Sequence, residues 1–335
     1  MEEHEDGSEA SLGSEASLKV IPVDPPGPRQ SFSQLLTRTG IRLHEWRRWF
    51  RKPAPAPVLV LPVDQQPIYE PPRIGLALGG GFARGVAHIG VLKVIEAAGI
   101  PLHCITGVSS GSIVAAAYAS GVAPDEIARA GSRLRFNDIA RWTICRMGFM
   151  CTQRMDVFLH RLLKKHRFED MEIPLGVLST DLRSGKVIAF REKGDVTLPI
   201  RASCSYPGIF QPVEFEGRLL VDGGISVEVP TQLARAMGAT HVIAVSIPMQ
   251  AESIPPGNMF EVVNRCFQII QHHRQELWRK YADVVIEPDV SQHGWNAFEN
   301  GQRMVEAGEA AARAALPEIL KIVEPEHTSM MQECS

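Results

Sequence analysis

From Arg73 onward the chain alternates two kinds of apolar pattern. RIGLAL (73–78) is a short apolar run bounded by prolines and glycines, as expected of a buried strand. After a glycine-rich turn, Ala87, Val91, Ile95 and Ala98 recur at helical spacing until Gly99 and Pro101 stop the helix. HCIT (103–106) predicts the next strand, and SSGSIVAAAYAS predicts a small, buried helix ending at Gly121. APDEIARAGSRL opens a further helix with Pro124 and two acids in its first turn. PLGVLSTDL and KVIAF flank Arg183-Ser184-Gly185 as a hairpin, and VEFEGRLLV turns at Glu216-Gly217. Helix VPTQLARAM, strand HVIAVSI, a long helix near 259–281, strand DVVIEP and a last helix near 301–322 complete the series. Only FNDIARWTICRMGFMCTQRM (136–155) has no clean period; it suits either a cover for an apolar pocket or core beneath a loop. Alternation of this kind predicts an α/β fold, a three-layer α/β/α domain with a largely parallel central sheet.

Residues 1–72 differ. They hold eleven of the 24 prolines, and six acidic residues precede the first basic one, Lys19. Such a segment buries too little apolar surface to offset its chain entropy, so a mostly disordered tail is expected there, a catalytic domain over 73–323 and a flexible C-terminus over 324–335. Within the tail, Phe32, Leu35, Leu36, Leu43, Trp46 and Phe50 fall near one helical face of residues 32–52, and six basic residues face Glu45 alone. A basic amphipathic helix of this type suits an anionic membrane surface; docking on the catalytic domain is the alternative, and Gly40 weakens either helix.

Composition narrows the class. A length of 335 residues allows one large α/β domain or two smaller ones. Net charge of -3 gives no general attraction to nucleic acid. The N-terminus MEEHEDGSEAS is acidic where a secretory signal is basic, no window reaches 18 uninterrupted apolar residues, and six scattered cysteines form no CxxC pair. These features predict a cytoplasmic protein, at most peripheral on a membrane, without disulfide scaffold or metal.

Three turns carry candidate chemistry. Gly107-Val108-Ser109-Ser110-Gly111 lies between a strand and a helix. A serine there stands on a sharp turn with its hydroxyl exposed, and Gly107 and Gly111 leave room for the strained backbone, so Ser109 is the candidate nucleophile. Gly79-Gly80-Gly81-Phe82-Ala83-Arg84-Gly85, also between strand and helix, lets backbone N–H groups converge on a phosphate or an oxyanion. Its spacing is one residue too long for a dinucleotide loop, and no Lys-Ser or Lys-Thr completes a Walker loop; beside a serine elbow the oxyanion role is favoured. Asp222-Gly223-Gly224 after RLLV suits a base, a metal ligand or an ordinary turn.

In this order, the glycine loop GLALGGGFARGVAHIGVLKVIEAAGI, the GxSxG elbow and the Asp-Gly-Gly turn resemble the patatin-like phospholipase family, its bacterial and neuropathy-target-esterase branch; RASCSYPGIFQPV extends the resemblance. The resemblance implies a Ser–Asp dyad without histidine: Ser109 as nucleophile, Asp222 as base, and the loop Gly79, Gly80, Gly81, Arg84 and Gly85 around the oxyanion. It implies hydrolysis of phospholipid or lysophospholipid acyl esters without a cofactor. Many relatives carry glycine where this chain has Phe82. Arg84 braces the loop or meets an anionic head group. A Ser–acid–His triad using His241, His272, His273 or His293, and a catalytically inactive adaptor on the same fold, are the alternatives; His88 reads as a satisfied, half-buried side chain.

Overall fold

The computed structural model describes residues 71–145, 147–247, 256–294 and 298–323. The expectations for the tail up to residue 70, including the helix over 32–52, and for the C-terminus from 324 lie outside the described residues. The first strand, β1 (Ile74–Leu78), is buried along its whole length. Its side chains alternate between two cores: Ile74, Leu76 and Leu78 enter the larger one, and Ala77 enters a second with Cys104, Val242 and Ala244. A strand with apolar partners on both faces belongs to the middle layer of three.

The chain continues through α1 (Ala87–Ala97), β2 (Leu102–Gly107), α2 (Ser110–Ala119), α3 (Pro124–Arg133) and the single turn α4 (Phe136–Ile139). Next come the hairpin β3 (Arg141–Cys145) and β4 (Gly148–Cys151), then α5 (Gln153–Leu162), β5 (Leu175–Asp181), β6 (Val187–Phe190), α6 (Thr197–Ser203), β7 (Val213–Phe215) and β8 (Arg218–Asp222). The remainder is α7 (Thr231–Ala236), β9 (His241–Val245), α8 (Met259–Arg274), α9 (Glu276–Arg279), β10 (Val284–Ile286) and α10 (Gly301–Val323). The main sheet runs β10-β9-β1-β2-β5-β8-β7, with β6 also on β5. Pairings from β10 to β5 are parallel, and those of β5, β6, β7 and β8 among themselves are antiparallel.

The sheet grows from β1 in two directions, through β2 on one side and β9 on the other. Such a reversal opens a crevice beyond the carboxyl ends of the strands, where open α/β sheets place their ligands. The glycine loop and Ser109 both lie there. Val245 at the end of β9 accepts the Gly79 N–H at 2.9 Å, fixing the start of the loop. Helix α1 meets α10 backbone to backbone: a Cβ on Gly90 would stand 2.6 Å from the Glu309 nitrogen, and one on Gly308 2.9 Å from the Ala87 carbonyl carbon.

The stretch 136–155, expected as pocket cover or core, supplies both: Ile139 and Met155 wall an apolar cleft, and Ala140 and Met150 lie in the core. It forms α4, the hairpin β3–β4 and the start of α5, and the hairpin's pairing shifts register between Trp142 and Cys145, which erases the alternation a strand normally displays. One expectation needs correction. The long helix near 259–281 breaks at Gln275 into α8 and α9.

Candidate active site

Ser109 lies between β2 and α2 with φ 52° and ψ −129°. This is left-handed backbone that L residues rarely adopt, and it costs about 1–3 kcal/mol unless the surroundings hold it. They do so from both sides. The Ser109 N–H donates to the Ser203 hydroxyl at 2.8 Å, and its carbonyl accepts from the Ser112 N–H at 2.9 Å and the Ser112 hydroxyl at 2.6 Å. The flanking glycines answer to contacts. A Cβ on Gly107 would lie 2.5 Å from Ser112 Cα, and one on Gly111 2.5 Å from the Leu78 carbonyl oxygen.

Asp222 ends β8, opposite Ser179 of β5, and only 2% of it is exposed. Its Oδ1 accepts the Gly224 N–H at 2.8 Å, whereas its Oδ2 closes no hydrogen bond among the described residues. Burial pushes its carboxyl from 3.8 up to about 7; the Gly224 N–H and the nearby Ser109 hydroxyl pull less strongly the other way. Gly223 is what lets this turn reach the elbow, since a Cβ there would stand 2.7 Å from Val108 Cγ2. Gln271 of α8 donates to the Gly224 carbonyl at 2.8 Å and secures the turn from above.

The glycine loop completes the third side. The Gly79 N–H is taken by Val245, but those of Gly80 and Gly81 find no acceptor among the described residues, nor does that of Ser110 at the first turn of α2. A Cβ on Gly80 would lie 3.4 Å from Ser109 Cβ, so these amides border the serine. Gly85 permits the loop to touch α2, because a Cβ there would fall 2.8 Å from Ser110 Cβ. Phe82 has φ 52°, the conformation glycine adopts freely. Its ring packs edge-on against Tyr206 at 4.9 Å, and Tyr206 against Phe267 at 5.6 Å, so ring contacts hold a backbone that the side chain itself disfavours. Arg84 is buried and lines the adjoining cavity.

His88 is fully buried, not half-buried: its Nε2–H donates to the Gly79 carbonyl at 2.8 Å while Nδ1 has no partner among the described residues. Burial lowers its pKa from 6.5 to about 4, so it is neutral near pH 7 and braces the loop. Of the four histidines that would complete a triad, His272 lines the cavity with Ser109 and Asp222, and none bonds Asp222.

Two cavities meet at Ser109 and Phe82. One is mixed, with Asp222, Glu228, Asn264, Gln268 and Gln271 in its walls beside Tyr206, Ile247 and Phe267. The other is an apolar cleft, walled by Ile89, Ile113, Val114, Ile139, Met155 and Phe210 among others. The sequence did not reveal that Ser203, the Ser110 N–H and α8 belong to the site. For Ser110 a signal existed, since the residue after an elbow nucleophile commonly offers its amide to the oxyanion. Ser203 lies in the RASCSYPGIFQPV segment and α8 in the helix expected near 259–281, and nothing in either pattern shows its contact with the elbow or the aspartate turn.

A family model described as Patatin-like phospholipase matches residues 76–235, the segment holding all three turns. Two proteins of Mycobacterium tuberculosis strain H37Rv, each described as an uncharacterized NTE family protein, are similar. One is 35% identical over 179 residues, 52% of this chain and 49% of its own; the other is 30% identical over 270 residues, 72% and 46%. Patatin-like phospholipase domain-containing protein 6 of Mus musculus is 32% identical over 193 residues, 54% of this chain and 14% of that protein. The chain thus spans about half the length of its mycobacterial relatives.

Proposed function

We propose, from the premise that this chain belongs through residues 76–235 to the patatin-like phospholipase family, that it is a serine acyl hydrolase cleaving carboxylic esters of phospholipids or lysophospholipids. The observation that carries this reading is a strained, partly exposed serine beside a buried carboxylate oxygen without a partner among the described residues, where an apolar cleft meets a cavity of mixed lining. An amphiphilic ester fits that junction, its acyl chain in the cleft and its head group among the Asn264, Gln268 and Gln271 side chains of the mixed cavity.

As Ser109 Oγ bonds to the ester carbonyl carbon, its proton passes to Asp222 Oδ2. An ordinary aspartate is too weak a base for a hydroxyl; one titrating at about 7 is better matched to the task. The carbonyl oxygen gains negative charge and meets the free N–H groups of Gly80, Gly81 and Ser110, each such donor worth on the order of 10²–10³ in rate. Collapse breaks the ester C–O bond, and the departing alkoxide takes the proton from Asp222. Water then attacks the acyl-serine, giving its proton to Asp222, and the fatty acid leaves with Ser109 restored. The reading invokes no metal or cofactor.

A fluorophosphonate probe tests it. The expected result is labelling at Ser109, with fatty acid released from a mixed phospholipid extract by the native chain and by neither Ser109→Ala nor Asp222→Asn. A folded protein that takes no label and releases no acid is an inactive adaptor, and the proposal fails.

A further inference from the structure

The apolar cleft opens at the surface. Ala130, Leu134 and Phe158 belong both to its wall and to a shallow depression outside it. Around that mouth stand Arg133 from α3 and Arg154 and Arg161 from α5, with Asp138 as the acid among them. Arg133 and Arg161 are exposed and form no ion pair among the described residues. Neighbouring acids are committed elsewhere: Glu126 to Lys164 at 3.5 Å and Asp156 to Arg201 at 2.6 Å.

Apolar side chains project from the same region. Val157, between the two α5 arginines, is 53% exposed. The β3–β4 hairpin carries Met147 and Phe149 at 52% and 58% exposure. It is tied down beside the cleft, because the N–H groups of Phe149 and Met150 both bond the Ile209 carbonyl and the next residue, Phe210, lines the cleft. Cations around an apolar opening, with large apolar groups between them, complement a surface that is anionic outside and hydrocarbon within.

We infer that the rim formed by α3, α5 and the β3–β4 hairpin docks on bilayers containing anionic phospholipid, with Arg133 and Arg161 against phosphate and Phe149 and Val157 at the acyl boundary. An acyl chain then passes from the bilayer into the cleft without crossing water. This rests on the reading of the cleft as the acyl site, and it places membrane contact on residues other than the basic segment 32–52.

Flotation of the full chain with vesicles of phosphatidylcholine, alone or mixed with phosphatidylglycerol, tests the surface. The native protein is expected to float with the mixed vesicles and not with the neutral ones, less so as salt rises. The double variant Arg133→Gln, Arg161→Gln should bind about thirty-fold more weakly, and Phe149→Ser should weaken binding with the charge intact. Both should hydrolyse a soluble short-chain ester at the native rate. Undiminished flotation of both variants would overturn the inference and move membrane contact to 32–52; so would binding indifferent to lipid charge. If the native chain floats as expected yet cleaves no ester, the hydrolase reading fails while the docking surface stands.

Discussion

Asp222→Asn separates what this carboxyl does for chemistry from what it costs the fold. In the unfolded chain the group titrates near 3.8, and beneath the elbow at about 7. Below the lower value it is protonated in both states and contributes nothing to pH dependence. Between the two values the unfolded chain has released a proton that the folded chain keeps, so native stability falls as pH rises, by about 1.36 kcal/mol per pH unit. Above about 7 the loss levels off near 4 kcal/mol, an upper figure. Asparagine cannot ionise, yet it keeps the oxygen that accepts the Gly224 N–H. The variant should therefore match the native protein near pH 4 and exceed its stability by several kcal/mol near pH 8. Urea unfolding of both proteins across that range gives the difference directly, and other titrating groups cancel in it. Esterase activity should vanish in the variant, and native kcat should drop about tenfold per pH unit below about pH 7. A stability gap constant with pH, or an acid limb near pH 4, would refute the raised carboxyl and its role as base.

Three further outcomes follow from the same geometry. The unfolded chain protonates His88 near 6.5 but the folded chain only near 4, so native stability present above 6.5 is lost as pH falls through that window, by about 3 kcal/mol; His88→Gln keeps a donor for Gly79 and should flatten the loss in a pH series of Tm. Phe82→Ala and Phe82→Gly both remove the ring, but only glycine relaxes at φ 52°, so the glycine variant should be more stable by about 1 kcal/mol in urea unfolding, the reverse of the usual order. Gly81→Ala puts a Cβ 3.1 Å from Ile247 Cγ1 and 3.2 Å from the Gly85 nitrogen, displacing the loop; kcat should fall on the order of 10²–10³ with KM little changed. Loss of Tm alone, with kcat intact, would assign the oxyanion donors to other residues.

The three turns were legible because each glycine answers to a local demand. Gly107 and Gly111 make room for Ser112 and Leu78, close in sequence or on the adjoining strand, so the spacing itself carries the geometry. Two of the three hairpins among the described residues were legible for a similar reason, since Gly185 and Gly217 have φ of 69° and 72° at the predicted bends. What escaped depends on distant packing. Ser203, 94 residues beyond Ser109, holds the elbow's N–H through one hydroxyl in a stretch with no marked period. Asn264 and Gln271 form the polar row of an amphipathic helix, which in sequence is indistinguishable from a solvated face. His88 looks half-exposed by residue type, and only its packing beneath the glycine loop shows that it is buried.

The pairing of β9 with β1 has a consequence for anyone who would cut or graft this protein. The match to the family model ends at residue 235, before β9 begins, although similarity to one mycobacterial relative runs over 270 residues. Yet β9 lies along β1 from Ile74 to Leu78, and Val245 fastens the loop that borders the serine. A fragment trimmed to residues 76–235 would turn the middle strand of the sheet into a raw edge and release Gly79. The stretch that carries the three turns and the object that folds are thus different lengths of chain. A transplant of the three turns into another scaffold must bring a surrogate for β9, and substitutions after residue 235, far from any motif, will change turnover by way of Val245 and Ile247.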